Sequence, residues 1–457
     1  MFRALRKFQL LPVRKNSIQH SLIGIGQPYL EYNVLLDENK IISLIKLIQH
    51  IHDPNQDNSD VKNLIFDTMI RESSQFPFRE SATILPGGSV LNALRITEWL
   101  THNESKTTFM GSCGNDYESE ILKDLLEMSN VNHILSIRNN EPTAKSLNMI
   151  LDQNPASYSQ IVQLIDIPGA SKNFSFDKKI HTESRIAFNS AKSILASFLP
   201  YPLENSNNKA IIEISDLACS SNKLFALKLP FCNGLPIDNY LTAKEWLHLL
   251  MNVDILFLDL NSALKIAKIF ANWKVAVGTK PESIRPDVKL RFEEFNDSLK
   301  LDENAIYSMS LSLAATMPGL AERLAISLAH LPKRQAKQSR IVFLLGSGTS
   351  TGGIVACTNQ GKLKRLSDLK DRSNSFNLNP SQSKFNEIGL NGVDKTTDAF
   401  VGGIMAKVLE GDVNSDKFIV ESMFVGFKVA QFISKNQNGL FPKILPDNLS
   451  DILNDKF

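Results

Sequence analysis

The chain has 457 residues, 43% of them hydrophobic and 21% charged, with a formal net charge of +2. This is ordinary globular composition, enough to bury the core of one large α/β domain or two smaller ones, and it argues against a basic face for nucleic acid. No run of eighteen apolar residues offers a membrane span, and four scattered cysteines (Cys113, Cys219, Cys232, Cys357) without a CxxC pair argue against a disulfide framework or zinc site.

The N-terminus, MFRALRKFQLLPVRKNSIQHS, carries Arg3, Arg6, Lys7, Arg14 and Lys15, with no acidic residue before Glu31. Phe2 and Leu5 fall on one helical face, Arg3, Arg6 and Lys7 on another, and Pro12 ends the pattern. A basic, acid-free, amphipathic start over residues 1–18 is the pattern of a mitochondrial presequence, the alternative being a frayed basic tail on a cytosolic protein. Residues 19–457 are expected to form the folded domain.

Past that segment, SLIGIGQPYLEYNVLLD (21–37) reads as a strand, a tight turn at Gly24-Ile25-Gly26 and a second strand. Residues 40–52 are helical in pattern. ILPGGSVLNALRITEWL (84–100) is a strand end, a Gly-Gly turn and a helix whose apolar face holds Ala93, Ile96 and Leu100. TTFMGSCGND (107–116) is a strand leaving through a glycine loop, and YESEILKDLLEMSNV (117–131) an amphipathic helix. Further strands are expected at NKLFALKLPF (222–231), NVDILFLDL (252–260) and SRIVFLLG (339–346). Such alternation predicts a mostly parallel sheet with helices on both faces, with ligands beyond the carboxyl ends of its strands. Residues 272–338, charged and Pro-containing with one apolar run, read as an inserted helical segment and a candidate partner surface; residues 367–387 read as a polar loop.

LLGSGTSTGG (344–353) follows a strand and is glycine-rich, but it lacks the Lys-Ser/Thr ending of a P-loop, and IVACTNQGKLKRL after it reads as strand and turn. A hairpin is therefore expected there. In GVDKTTDAFVGGIMAKVLEG (392–411), Val401, Ile404, Met405 and Val408 are spaced to bury one face of a helix that begins near Asp398. An aspartate at a helix start either caps it or accepts a proton from an attacking hydroxyl; spacing alone favours the cap.

Seven segments, in order, resemble the ribokinase/phosphofructokinase-B family of sugar and nucleoside kinases, with the closest likeness to adenosine kinase. They are GIGQPYLEYNVLLD (24–37), PGGSVLNALRITEWL (86–100), FMGSCGNDYESEILKDLLEMSNVNH (109–133), NEPTAKSLNMI (140–150), NVDILF (252–257), the 392–411 stretch and NGLFPKILPD (438–447). The resemblance implies a ribokinase-like three-layer α/β/α sandwich with a small β lid built from strands near 24–37, 80–86 and 138–150. It implies a hinge at Gly87-Gly88. It places substrate contacts at Gln27, Glu31, Gly87, Gly88 and Asn92, a catalytic base at Asp398, and a phosphate site at Asp394, Thr396 and Thr397.

The match decays at those positions. The family's D-T-x-G-A-G-D has become Asp394-Lys395-Thr396-Thr397-Asp398, shorter and without glycine, so backbone amides cannot converge on one oxygen; losing one such donor alone costs ~10²–10³ in rate. The magnesium-organising N-x-x-E aligns with Asp259-Leu260-Asn261-Ser262, with Ser262 in place of the glutamate. Pro155 and Ala156 stand where a lid arginine is expected, and Glu31 and Gln27 are each one methylene longer than the residues they match. The expectation is an inactive adenosine-kinase-like protein, acting as an accessory or structural subunit of a larger mitochondrial assembly, such as a respiratory or ATP synthase complex. The alternatives are an active adenosine or sugar kinase, the only case requiring ATP and magnesium, and a nucleotide-binding sensor. Other protein subunits are the expected partners, with a nucleoside or nucleotide possible in the site; no resident metal, nucleic acid or membrane span is expected.

Overall fold

The computed structural model describes residues 22–36, 83–101, 107–151, 160–167, 169–173, 181–197, 207–229, 241–273, 284–298, 319–334, 339–345, 354–365, 395–411, 413–415 and 417–436. The presequence-like segment 1–18, the helical pattern at 40–52, the loop at 367–387, the glycine stretch 346–353, Pro155-Ala156 and Asp394 lie outside them.

Nine strands form a central sheet. Its strands are β1 (Leu22–Ile25), β4 (Thr107–Gly114), β5 (Asn132–Arg138), β8 (Ser193–Ser197), β9 (Leu224–Lys228), β10 (Ile255–Asp259), β11 (Ile341–Leu345), β12 (Ile354–Thr358) and β13 (Leu363–Arg365). The order across the sheet is β13-β12-β11-β10-β9-β8-β1-β4-β5. Pairing is parallel from β5 through β11; β12 and β13 return antiparallel, as the hairpin reading of IVACTNQGKLKRL requires. A separate four-stranded lid sheet has the order β3-β2-β6-β7, from β2 (Tyr29–Leu36), β3 (Thr83–Gly87), β6 (Lys145–Leu151) and β7 (Gln160–Ile167). The chain thus leaves the central sheet at β1 and enters the lid at β2 across the short Gly26–Pro28 link. Arg138 belongs to the central sheet through β5, not to the lid strand expected from 138 onward; that strand starts at Lys145.

Helices cover both sheet faces. Alternate side chains of each central strand point to opposite faces, which explains the unbroken apolar runs. Phe225, Leu227, Leu256, Leu258, Val342 and Leu344 face one layer, which holds α3 (His181–Ser190), α4 (Asn207–Ser220), α5 (Ala243–Asn252), α6 (Leu260–Asn272), α7 (Pro286–Ser298) and α8 (Leu320–Ala329). Ala226, Ile255, Phe257, Ile341 and Phe343 face the other. That second layer holds α1 (Ser89–Leu100), α2 (Tyr117–Met128), α9 (Lys395–Glu410) and α10 (Phe418–Asn436).

Within 272–338 the described residues form α7 and α8, and both pack on the sheet. Val288, Phe292 and Phe295 of α7 and Leu320, Leu324 and Leu328 of α8 are buried in the same core as the sheet. Helix α8 is the element that leads into β11, and its residues at i, i+4 and i+8 pack under β11 and β12. Helix α8 starts after Gly319, whose φ of 76° suits glycine.

Just before β11, Arg340 is 1% exposed and donates to five backbone carbonyls. They are Val253 (3.3 Å), Leu328 (3.4 Å), Leu331 (2.6 Å), Pro332 (2.8 Å) and Leu250. These carbonyls lie at the ends of α5 and α8, where helices leave acceptors unpaired and carry partial negative charge. Burial pulls the Arg340 pKa down to about 10, which leaves it charged at neutral pH.

Helix α9 is wedged between α1 and α10. A Cβ on Gly402 would stand 2.5 Å from the Ala93 carbonyl oxygen, and one on Gly403 2.6 Å from the Gly426 Cα. The Thr97 hydroxyl of α1 donates to the Gly402 carbonyl at 3.0 Å. The glycine pair after Asp398 therefore sets how closely the helices approach, and fixes the first turn of α9 against the sheet edge.

Candidate functional site

Three elements meet where the parallel strands end at their carboxyl edge: the end of β9, the start of α1 and the first turn of α9. Gly88 precedes α1 with φ 124°, a conformation that glycine adopts without strain, and its Cα faces the Gln27 carbonyl closely. This turn aims Ser89 and Asn92 of α1 at α9. Asp398 is buried there, and its carboxylate accepts from the Ser89 hydroxyl at 2.7 Å and from Asn92 Nδ2 at 3.0 Å. Lys228, the last residue of β9, forms an ion pair with the same carboxylate and also donates to the Ser89 hydroxyl. Lys228 is 2% exposed and Asn92 1%. Among the described residues Asn92 Oδ1 has no hydrogen-bond partner.

The capping reading of Asp398 is corrected by this geometry. Helix α9 begins at Lys395, so Asp398 sits inside the first turn, and its oxygens bond side chains from α1 and β9. Both of its oxygens are therefore already engaged, by Ser89, Asn92 and Lys228.

One turn earlier on α9, Lys395 forms a second buried ion pair, with Glu31 of lid strand β2. Gly87 makes room for the longer side chain of Glu31: a Cβ there would lie 2.6 Å from Glu31 Cγ and Oε1. The buried guanidinium of Arg95, whose pKa burial lowers to about 10, also feels the Glu31 charge. Thr396 and Thr397 are buried in the same turn, and Gln27 lies partly exposed in the link between β1 and β2.

At the neighbouring strand end, Asp259 caps α6 by accepting from the Ser262 N–H at 2.6 Å. Burial raises its carboxyl above the ordinary value, against the hydrogen bonds from Ser262. With Ser262 in place of a second carboxylate and Asp259 engaged as a cap, these residues do not form a donor set for magnesium. Among the described residues no three His, Cys, Asp or Glu side chains converge.

The structure therefore brings Glu31, Gly87, Gly88, Asn92 and Asp398 together. It adds three residues that the sequence reading did not single out: Ser89, Lys228 and Lys395. Lys228 left one usable signal, a lysine closing the strand LFALK whose sheet is covered on both faces.

No known family model matches the sequence, and no curated protein matches it. Solved structures match over nearly its whole length. The adenosine kinase of Anopheles gambiae in complex with P1,P4-di(adenosine-5) tetraphosphate is 16% identical, covers 91% of this chain and 95% of its own, and has a TM-score of 0.56. The adenosine kinase of Schistosoma mansoni in complex with 2-fluoroadenosine is 13% identical, covers 93% and 97%, and has a TM-score of 0.57. A probable sugar kinase from Rhizobium etli is 13% identical, covers 91% and 93%, and has a TM-score of 0.52. At these identities the likeness shows the fold, a ribokinase-like α/β/α sandwich of the adenosine-kinase type with its lid.

Proposed function

We infer that this chain is a catalytically inactive adenosine-kinase-like protein, serving as an accessory or structural subunit of a larger mitochondrial assembly, with a respiratory or ATP synthase complex as the first candidates. The observation that carries the inactive part is the pair of buried lysines. Lys228 occupies the carboxylate at the base position, and Lys395 the carboxylate that would meet a substrate hydroxyl. A substrate hydroxyl could reach Asp398 only after Lys228 had left it. Transfer depends on positioning and on neutralising charge at the phosphoryl group, and the glycine-free DKTTD stretch and the cap at Asp259 supply neither.

The mitochondrial part rests on the basic, acid-free N-terminus, and the subunit role on a fold retained while its chemistry is not. Cell fractionation followed by native sizing tests both. The endogenous protein is expected in mitochondria, in a species far above its 51.0 kDa chain mass. A free monomer in the cytosol would overturn this reading.

A further inference from the structure

We propose that Lys395 is an internal latch that docks the lid sheet on the body of the protein, so that lid closure is independent of any ligand. Resting on the reading that the site no longer transfers phosphate, the inference gives the two lysines a purpose beyond blocking it. Glu31 lies on lid strand β2, whereas Lys395 lies on body helix α9, 364 residues away. Their side chains are 2% and 5% exposed. Neither charge has bulk water to return to while the lid is docked, and moving the lid away would separate a buried pair.

The surroundings are shaped for this contact. Gly87 leaves the space that the Glu31 side chain fills. The lysine is held in turn, because its helix is wedged by Gly402 and Gly403 and its next turn is tied through Asp398 to Lys228 and Ser89. Among the described residues the lid is also tied at the base of β6, where the Asp116 carboxylate accepts from the Thr143 N–H at 2.6 Å and Lys145 pairs with Glu118 at 3.3 Å, and Leu30, Tyr32 and Leu147 share an apolar cluster with Leu122 and Leu125 of α2. Glu31 is the third residue of β2 and lies in register with Ser146, beside the base of β6, so the lid is tied to the body across two neighbouring strands and cannot lift there without breaking the Lys395–Glu31 pair. A hinge between two sheets normally closes when a ligand supplies the bridging contacts. Here the chain supplies them itself.

Hydrogen exchange of the full-length protein, read by mass spectrometry with and without adenosine, tests the latch. In the wild type, amides of β2 and β6 are expected to exchange slowly, and adenosine to leave them unchanged. The double variant Glu31→Gln/Lys395→Met removes both charges of the pair together, and β8 and β9 report whether the rest of the fold survives the change near Arg95. In it, exchange of β2 and β6 should rise by about tenfold or more while β8 and β9 stay as in the wild type, the pattern of a sub-global opening. Equal lid exchange in both proteins would overturn the latch. So would a rise shared by β8 and β9, or a wild-type lid that slows only when adenosine is added. Turnover of ATP by a protein whose lid behaves as expected would refute the inactive reading and leave the latch standing.

Discussion

Replacing Asp398 by alanine is expected to destabilise the fold by about 3–5 kcal/mol in urea unfolding, the usual effect of breaking a buried ion pair from one side. The substitution takes the Asp398 carboxylate away from the Lys228 ammonium, 2% exposed at the end of β9. It also strips acceptors from Ser89 and Asn92. A catalytic base behaves differently, since its removal abolishes turnover with a small effect on stability. Lys228→Met combined with Asp398→Asn should recover most of the loss, because the charge is removed and the amide still serves Ser89. A loss under about 1 kcal/mol for Asp398→Ala, within the range of an exposed pair, would show that the pair is not buried as described.

Arg340→Met is expected to cost about 3–5 kcal/mol, by a different route. Methionine fills similar space but donates nothing, so five carbonyls at or just past the ends of α5 and α8 lose the guanidinium together, with Leu250 and Leu328 keeping a backbone N–H each. Arg340→Lys should fall between, since one ammonium cannot reach acceptors spread over two helix ends. Urea midpoints of the three proteins would rank wild type, lysine, methionine. A methionine variant as stable as the wild type would contradict the role assigned to the guanidinium.

The central sheet was legible because its strands are short apolar runs bounded by turn residues, as in VDILFLD and RIVFLLG, and helices alternate with them. The residues themselves marked β2 and β3 as strands, but only the likeness of GIGQPYLEYNVLLD and PGGSVLN to kinase segments assigned them to a lid; β7 carries no such mark. Within 272–338 the packing of α7 and α8 on the sheet was not legible, because charged stretches flank their apolar faces and periodicity does not say which surface a helix face will meet. Asp398 was singled out by the sequence and its partners were not. Lys228 is 170 residues away and Ser89 309, so no local pattern could pair them. Lys395 looked like bulk intruding on a phosphate loop. In the fold it is a buried cation facing the carboxylate of Glu31, the residue whose extra methylene had looked like crowding.

The central claim is that this site does not transfer a phosphoryl group, and the direct measurement is ADP release by the purified protein with magnesium-ATP and either adenosine or ribose. The account predicts release at the rate of the protein-free control with both acceptors. Turnover well above that control, abolished in Asp398→Ala protein that remains folded, would contradict it.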